Sequence, residues 1–337
     1  MKAIVLRRTA PIEDDPLSYE DIPVPEPKAR EIFIEVSVCG VCRTELDEVE
    51  GRLQPKIPVV PGHQVVGRVA KIGQAAERFR IGERVGVAWI YSSCGECRFC
   101  RIGLENLCAR FMGTGCDVDG GYAEYMVAHE DYAYKIPEVF SDAEAAPLLC
   151  AGAIGYRALK LTRIEDGDVI GLYGFGSSAH ILFHVIRHLY PNSMIFVFTR
   201  RKGDAPSELA RKMGADWVGE TGETPPLKMN CAIDTTPTGL PVREALRNLE
   251  KGGRLVMNLI RKETPITDLD YTQHFWWEKE VKSVANITRR DVAEFLGIAA
   301  RIPIKPEVVE FKLEEANKAL SMLKYGKYCG SGVLRVR

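Results

Sequence analysis

Amides are scarce in this chain: there are 4 Gln and 7 Asn in 337 residues. Few amides beside many charges is a composition associated with heat-stable proteins, although ten cysteines run against it. Net charge is almost absent too, since 45 Lys+Arg meet 46 Asp+Glu. Such a chain has no overall field with which to hold nucleic acid or an anionic membrane. No apolar run approaches the ~18–20 residues of a spanning helix. There is no internal repeat and no low-complexity tract. Met1 to Leu6 lack the long apolar stretch and cleavage site of a signal, and read as a strand. At 46% hydrophobic residues there is material for a large core. At ~150 residues per domain the length suggests two domains. The expectation is a cytoplasmic protein that binds neither nucleic acid nor membrane.

The cysteines are unevenly placed. Cys94, Cys97, Cys100, Cys108 and Cys116 crowd together, Cys39 and Cys42 form a pair, and Cys150, Cys231 and Cys329 stand apart. In a reducing compartment, clustered cysteines mean metal or catalysis more often than disulfides. The pattern Cys94-x2-Cys97-x2-Cys100-x7-Cys108 offers four thiolates on short loops, the tetrahedral set of a closed, structural zinc. Disulfides suit three cysteines at three-residue spacing poorly. An iron–sulfur cluster is the other rival, and the wide gap to Cys108 favours zinc.

Two textures divide the chain. Residues 1–145 are rich in short Val, Ile and Phe runs broken by Pro and Gly, as in 31–38, 65–72 and 84–88. Pro23, Pro25 and Pro27 mark an irregular connection. A helical stretch follows at 143–161. Strands and helices then alternate: strands at 168–173, 194–199, 216–218, 231–234 and 254–259, helices at 180–189, 207–213 and 241–249. That alternation predicts a doubly wound parallel sheet, an α/β fold. From about residue 286 come one or two helices and a terminal strand at 332–336.

Gly174-x-Gly176-x-x-Ala179 ends one of these strands and opens a helix. Gly174 permits the tight turn, Gly176 lets a pyrophosphate approach the backbone, and Ala179 lets helix and strand pack closely. The loop Gly174, Gly176, Ser177, Ser178 and Ala179 is thus a candidate dinucleotide site. An NAD enzyme usually carries an acid at the end of the next strand. Here Thr199 is followed by Arg200, Arg201 and Lys202, which tilts the expectation to NADP(H) over NAD(H) through a 2′-phosphate. The bland alternative is a solvated basic face. His180, His184 and His188 have metal-capable spacing, but lie on a helix expected to pack on the sheet.

Five signatures now stand in order: 38–45 with Cys42-Arg43-Thr44-Glu45, Pro61-Gly62-His63, the four-cysteine lobe, Leu148-Leu149-Cys150, and the glycine loop. This succession resembles the zinc-dependent medium-chain alcohol dehydrogenases over essentially the whole chain. The resemblance implies a β-rich GroES-like catalytic domain from 1–150 and 286–337, with a Rossmann domain at 151–285 inserted, and an active site between them. It implies Cys42, His63 and Cys150 as ligands of a catalytic zinc whose open position takes the alcohol or carbonyl oxygen. Thr44 matches the hydroxyl that carries the alcohol proton away. Asp47 stands where some members place a relay histidine, and is the candidate outer group. Arg43 matches a residue facing the cofactor pyrophosphate, and Trp89 a bulky residue lining the substrate pocket.

Glu45 replaces a more frequent Asp and is expected to orient the histidine ligand. Gln64 replaces a frequent Glu, removing a negative charge beside the metal. Cys39 is a bystander. The expected reaction is reversible hydride transfer between an alcohol and an aldehyde or ketone, in a homodimer or homotetramer. A non-catalytic, zinc-stabilised nucleotide-binding protein is the rival from another class.

Overall fold

Residues Glu31–Val41 form a strand buried along almost its whole length. It is buried because it has neighbours on both sides. Val65–Ile72 pairs with it antiparallel on one edge. On the other, Tyr125–His129 pairs with its first half and Ser331–Arg335 with its second. The computed structural model describes every residue except Pro303 and Cys329, and Cys329 is one of the cysteines singled out above. The chain divides into two units, Met1–Ala153 with Asn286–Arg337, and Ile154–Ala285.

The first unit is built around a seven-stranded sheet, completed by Val308–Lys312, Arg84–Val87 and Ala133–Lys135. Its apolar core gathers Ile32, Ile34, Val36, Val65, Val85 and Tyr122. A small two-stranded sheet, Ile90–Ser92 with Met112–Gly113, carries the cysteine lobe between its strands.

The second unit is a six-stranded sheet whose strands are all parallel. In space they run Trp217–Glu220, Met194–Thr199, Val169–Tyr173, Met229–Asp234, Leu249–Met257, Glu280–Ser283. That is the dinucleotide-binding order, and it reverses between Val169–Tyr173 and Met229–Asp234. The inner strands are buried on both faces, which is why they read as near-continuous apolar runs.

Two elements differ from the sequence expectation. The stretch expected as one helix is three pieces: helix Asp142–Pro147, a π-turn Leu148–Gly152, and helix Ala153–Thr162. Pro147 supplies no N–H to the helical ladder, and the chain widens just after it. The strand expected at 254–259 begins earlier, at Leu249. Gly252 and Gly253 look like punctuation, but the irregular register between Met229 and Cys231 absorbs them. No helix among the described residues is long and apolar enough to cross a membrane.

Candidate metal and cofactor sites

Cys42 follows the central strand and precedes the helix Arg43–Val49. Its N–H donates to Glu45 Oε2 at 2.9 Å, closing the first turn. The other oxygen of Glu45 accepts the His63 N–H at 3.2 Å and lies 2.5 Å from His63 Nδ1. One fully buried carboxylate thus fixes two segments at once. Gly62 completes the positioning of His63. It has φ +103°, and a Cβ there would sit 2.4 Å from Tyr122 Cδ1 and 2.8 Å from Cys39 Sγ. Only glycine fits, and Cys39 is used as packing.

The π-turn brings Cys150 to this place, with Sγ 3.2 Å from His63 Nε2. The donor atoms of Cys42, His63 and Cys150 all lie within 4.8 Å of one another. Contact with Cys150, helped by His63, holds the Cys42 thiol well below its usual value. The same contact, then burial, pushes Cys150 well up. Burial opposes charge on His63, yet Glu45 and Cys42 hold its pKa well above the usual histidine value. Burial also pushes Glu45 up. Two thiols and an imidazole converging by Nε2, with Nδ1 facing a carboxylate, fit a three-ligand zinc with its orienting group behind. Replacing Glu45 by Ala is expected to weaken metal binding ~10–100-fold, as loss of such outer partners does. A competitive chelator titration measures it, and unchanged affinity would refute the orienting role.

Around this set, the Thr44 hydroxyl lies 3.6 Å from Cys42 Sγ. Trp89 meets His63 edge-on at 5.1 Å. Gln64 is buried, its side chain lying over Gly40, where a Cβ would come within 2.9 Å of it. Arg43 is exposed at the start of the helix. Asp47, one turn beyond Thr44, is held by Arg52 Nε at 2.5 Å.

The four lobe sulfurs also lie within 4.8 Å of one another. Cys94 and Cys100 are 3.8 Å apart, and Cys97 and Cys100 are 3.5 Å apart. These cysteines are free rather than bridged. A tetrahedral ion with ~2.3 Å bonds to sulfur needs sulfurs about 3.8 Å apart. The lobe therefore matches one ion and leaves no room for a polynuclear cluster. Backbone N–H groups, first that of Cys97, bring Cys94 down to about 6. Burial pushes Cys100 up to about 11. Cys100 Sγ contacts Ser93 Oγ at 3.4 Å, and Ser93 Oγ meets Tyr132 Oη at 2.7 Å, which anchors the lobe to its unit.

In the second unit, Gly174 has φ +84° and Gly176 caps the helix Ser177–Leu189. A Cβ on Gly176 would meet nothing within 4 Å, so its backbone is open to a ligand. Ala179 is buried beneath, and Ser178 Oγ accepts from Asn258 Nδ2 at 3.2 Å. Thr199 is buried at its strand end, while Arg200 and Arg201 are exposed. Among the described residues no carboxylate pairs with either guanidinium. Lys202 differs, being tied to Glu223. The three helix histidines do not form a metal group among the described residues.

Glu48 gives no sign in the sequence beyond its three-residue spacing from Glu45. It is 1% exposed, and among the described residues neither oxygen has a hydrogen-bond partner. Burial, then Glu45, pushes its carboxyl well up, beside the Cys116 thiol.

Residues 28–138 match the model of the alcohol dehydrogenase GroES-like domain. The chain is 41% identical over 342 residues to the "Probable alcohol dehydrogenase AdhA" of Mycobacterium tuberculosis (strain CDC 1551 / Oshkosh), covering 100% of this chain and 97% of that one. An alcohol dehydrogenase of Geobacillus stearothermophilus is 33% identical, over 95% and 96% of the two chains. The solved alcohol dehydrogenase of the hyperthermophilic archaeon Aeropyrum pernix superposes with a TM-score of 0.88 at 25% identity, covering 100% of both. The chain belongs to the zinc-type medium-chain alcohol dehydrogenase family.

Proposed function

We propose that this chain is a zinc-dependent alcohol dehydrogenase, working reversibly between an alcohol and its aldehyde or ketone, with NADP(H) as preferred cofactor. The convergence of Cys42, His63 and Cys150 within 4.8 Å carries the reading. The relatives' names point the same way. Cys42, His63 and Cys150 hold one zinc, and the four lobe cysteines hold a second. The first supplies Lewis acidity toward the substrate oxygen, and the nicotinamide supplies or accepts the hydride. Glu45 keeps His63 in the tautomer that offers Nε2. Thr44, beside Cys42, takes the alcohol proton, and Asp47 on the same helix is the outer end of its path. Trp89 walls the substrate side of His63 and excludes water.

The cofactor phosphates rest on the open Gly174–Ala179 loop and the first turn bearing Ser177 and Ser178, with Arg43 as a further phosphate contact. Thr199 replaces an acid that would repel a 2′-phosphate, and Arg200 and Arg201 stand free to receive it. Arg200→Asp is expected to weaken NADPH at least ~10-fold, the value of a charge-assisted hydrogen bond, and to change NADH little. Equal losses in a fluorescence titration would remove the NADP assignment. The outermost strand Glu280–Ser283 is exposed along its length. An open sheet edge suits pairing between copies, in line with a homodimer or homotetramer.

The deciding experiment assays primary, secondary and aromatic alcohols, aldehydes and ketones with each cofactor, and counts zinc per subunit. Turnover with two zincs is expected. No turnover with a single zinc would favour a nucleotide-binding protein without catalysis.

A further inference from the structure

The buried carboxylate of Asp234 ends the strand Met229–Asp234 and faces a single ammonium. Lys262 Nζ donates to Asp234 Oδ2 at 2.5 Å, and to the carbonyl oxygens of Thr236 and Thr238, each at 2.8 Å. All three hydrogens of the ammonium are thereby used. The other oxygen, Asp234 Oδ1, accepts from the Thr236 N–H at 2.9 Å and its hydroxyl at 2.7 Å. Asp234 is 0% exposed and the Lys262 side chain 14%, so the buried carboxylate is one that requires its bonds to be made. Around it two loops are laced together. Glu263 N–H donates to Pro237 O at 2.6 Å, and Gly239 N–H to Thr264 Oγ1 at 2.9 Å.

These loops lie at the carboxyl ends of the strands, next to where the strand order reverses, the place where open parallel sheets take ligands. Thr235 donates both its N–H and its hydroxyl to Tyr173 O, at 2.9 and 3.1 Å. A Cβ on Gly174 would lie 2.7 Å from Thr235 Oγ1. The partner loop is tied to the same place by Asn258, whose N–H donates to Asp234 O at 2.8 Å and whose side chain donates to Ser178 Oγ. The lock therefore braces both flanks of the glycine loop.

We infer that Lys262 and Asp234 are positioning residues for the dinucleotide, holding the 235–239 and 258–264 loops as the wall against which it binds. This rests on the cofactor reading above. Because the pair is neutral as a unit and remote from Thr199 and Arg200 in the chain, its loss should not discriminate between the two cofactors. Carbonyls of Thr236 and Thr238 released from Nζ would leave the wall free to move, and binding would then have to order it.

The test titrates NADPH and NADH into wild type, Lys262→Met, Asp234→Asn and the double variant. It also follows amide hydrogen exchange of residues 235–264 and counts zinc. Lys262→Met is expected to raise both dissociation constants about tenfold, by equal factors, with zinc unchanged and exchange faster in these loops. The double variant should lose less than the product of the single losses, because the two residues act as one unit. Affinity within twofold of wild type, with faster loop exchange, would overturn the inference, because the lock would then be structural alone. Asp234→Asn keeps two of the three ammonium bonds, and serves the same comparison where Lys262→Met fails to fold. A wild type that binds neither cofactor would instead refute the functional reading on which the inference stands.

Discussion

His63→Ala is expected to lower kcat/KM by about three orders of magnitude or more, and bound zinc from two per subunit to one. Lewis-acid stabilisation of a developing alkoxide is worth several kcal/mol, and each ~1.4 kcal/mol is a factor of ten. The variant loses one of three donors, and also leaves Glu45 and Cys42 without the cation-capable ring between them. Glu45 is fully buried, so the damage extends beyond the missing imidazole. Glu45 would still hold the Cys42 N–H, so the helix Arg43–Val49 should stay folded. Steady-state kinetics with zinc analysis measures the effect. Retained turnover after loss of one zinc would mean that the Cys42–His63–Cys150 set is not where the chemistry occurs.

The second large effect is expected from Cys108→Ser. The lobe has almost no apolar interior. The short helix Arg98–Arg101 buries none of its residues, and Ile102, Leu107, Phe111 and Met112 are exposed. Its shape depends on the sulfurs, and a structural zinc contributes ~10–16 kcal/mol in peptides that fold around it. Losing one ligand should empty the site and open residues 94–111 to rapid proteolysis, while the sheets of both units persist. The loss should appear as early nicking in a limited digest and a Tm lower by several degrees, about 2–5 kcal/mol of stability. A digest identical to wild type would mean that the lobe holds its form without metal.

The lobe was legible because its spacing is local: four thiols within fifteen positions can only wrap one centre. The parallel sheet was legible because strands covered on both faces carry no polar alternation. His63 and Cys150 meet across 87 positions, so no spacing rule joins them, and only the order of motifs suggested them. The π-turn that aims Cys150 was invisible, since Ala and Leu periodicity reads as plain helix on either side of Pro147. Nothing in the spacing showed that Asp47 would be ion-paired. Its pairing with Arg52 depends on a turn after the helix, where the Arg52 and Leu53 N–H groups fold back onto Asp47 O. Glu48 and the Asp234–Lys262 lock were hidden for the same reason, because burial is a property of packing.

The strand that leads into Cys42 has its second-half neighbour almost three hundred residues downstream, with Leu334 opposite Cys39. A ribosome making ~5–20 residues per second leaves that edge bare for tens of seconds. Residues 154–285, which make up the second unit, are synthesised before then. The parallel sheet of the second unit can therefore form first, and the sheet that carries Cys42 is completed only once Ser331–Arg335 has been made.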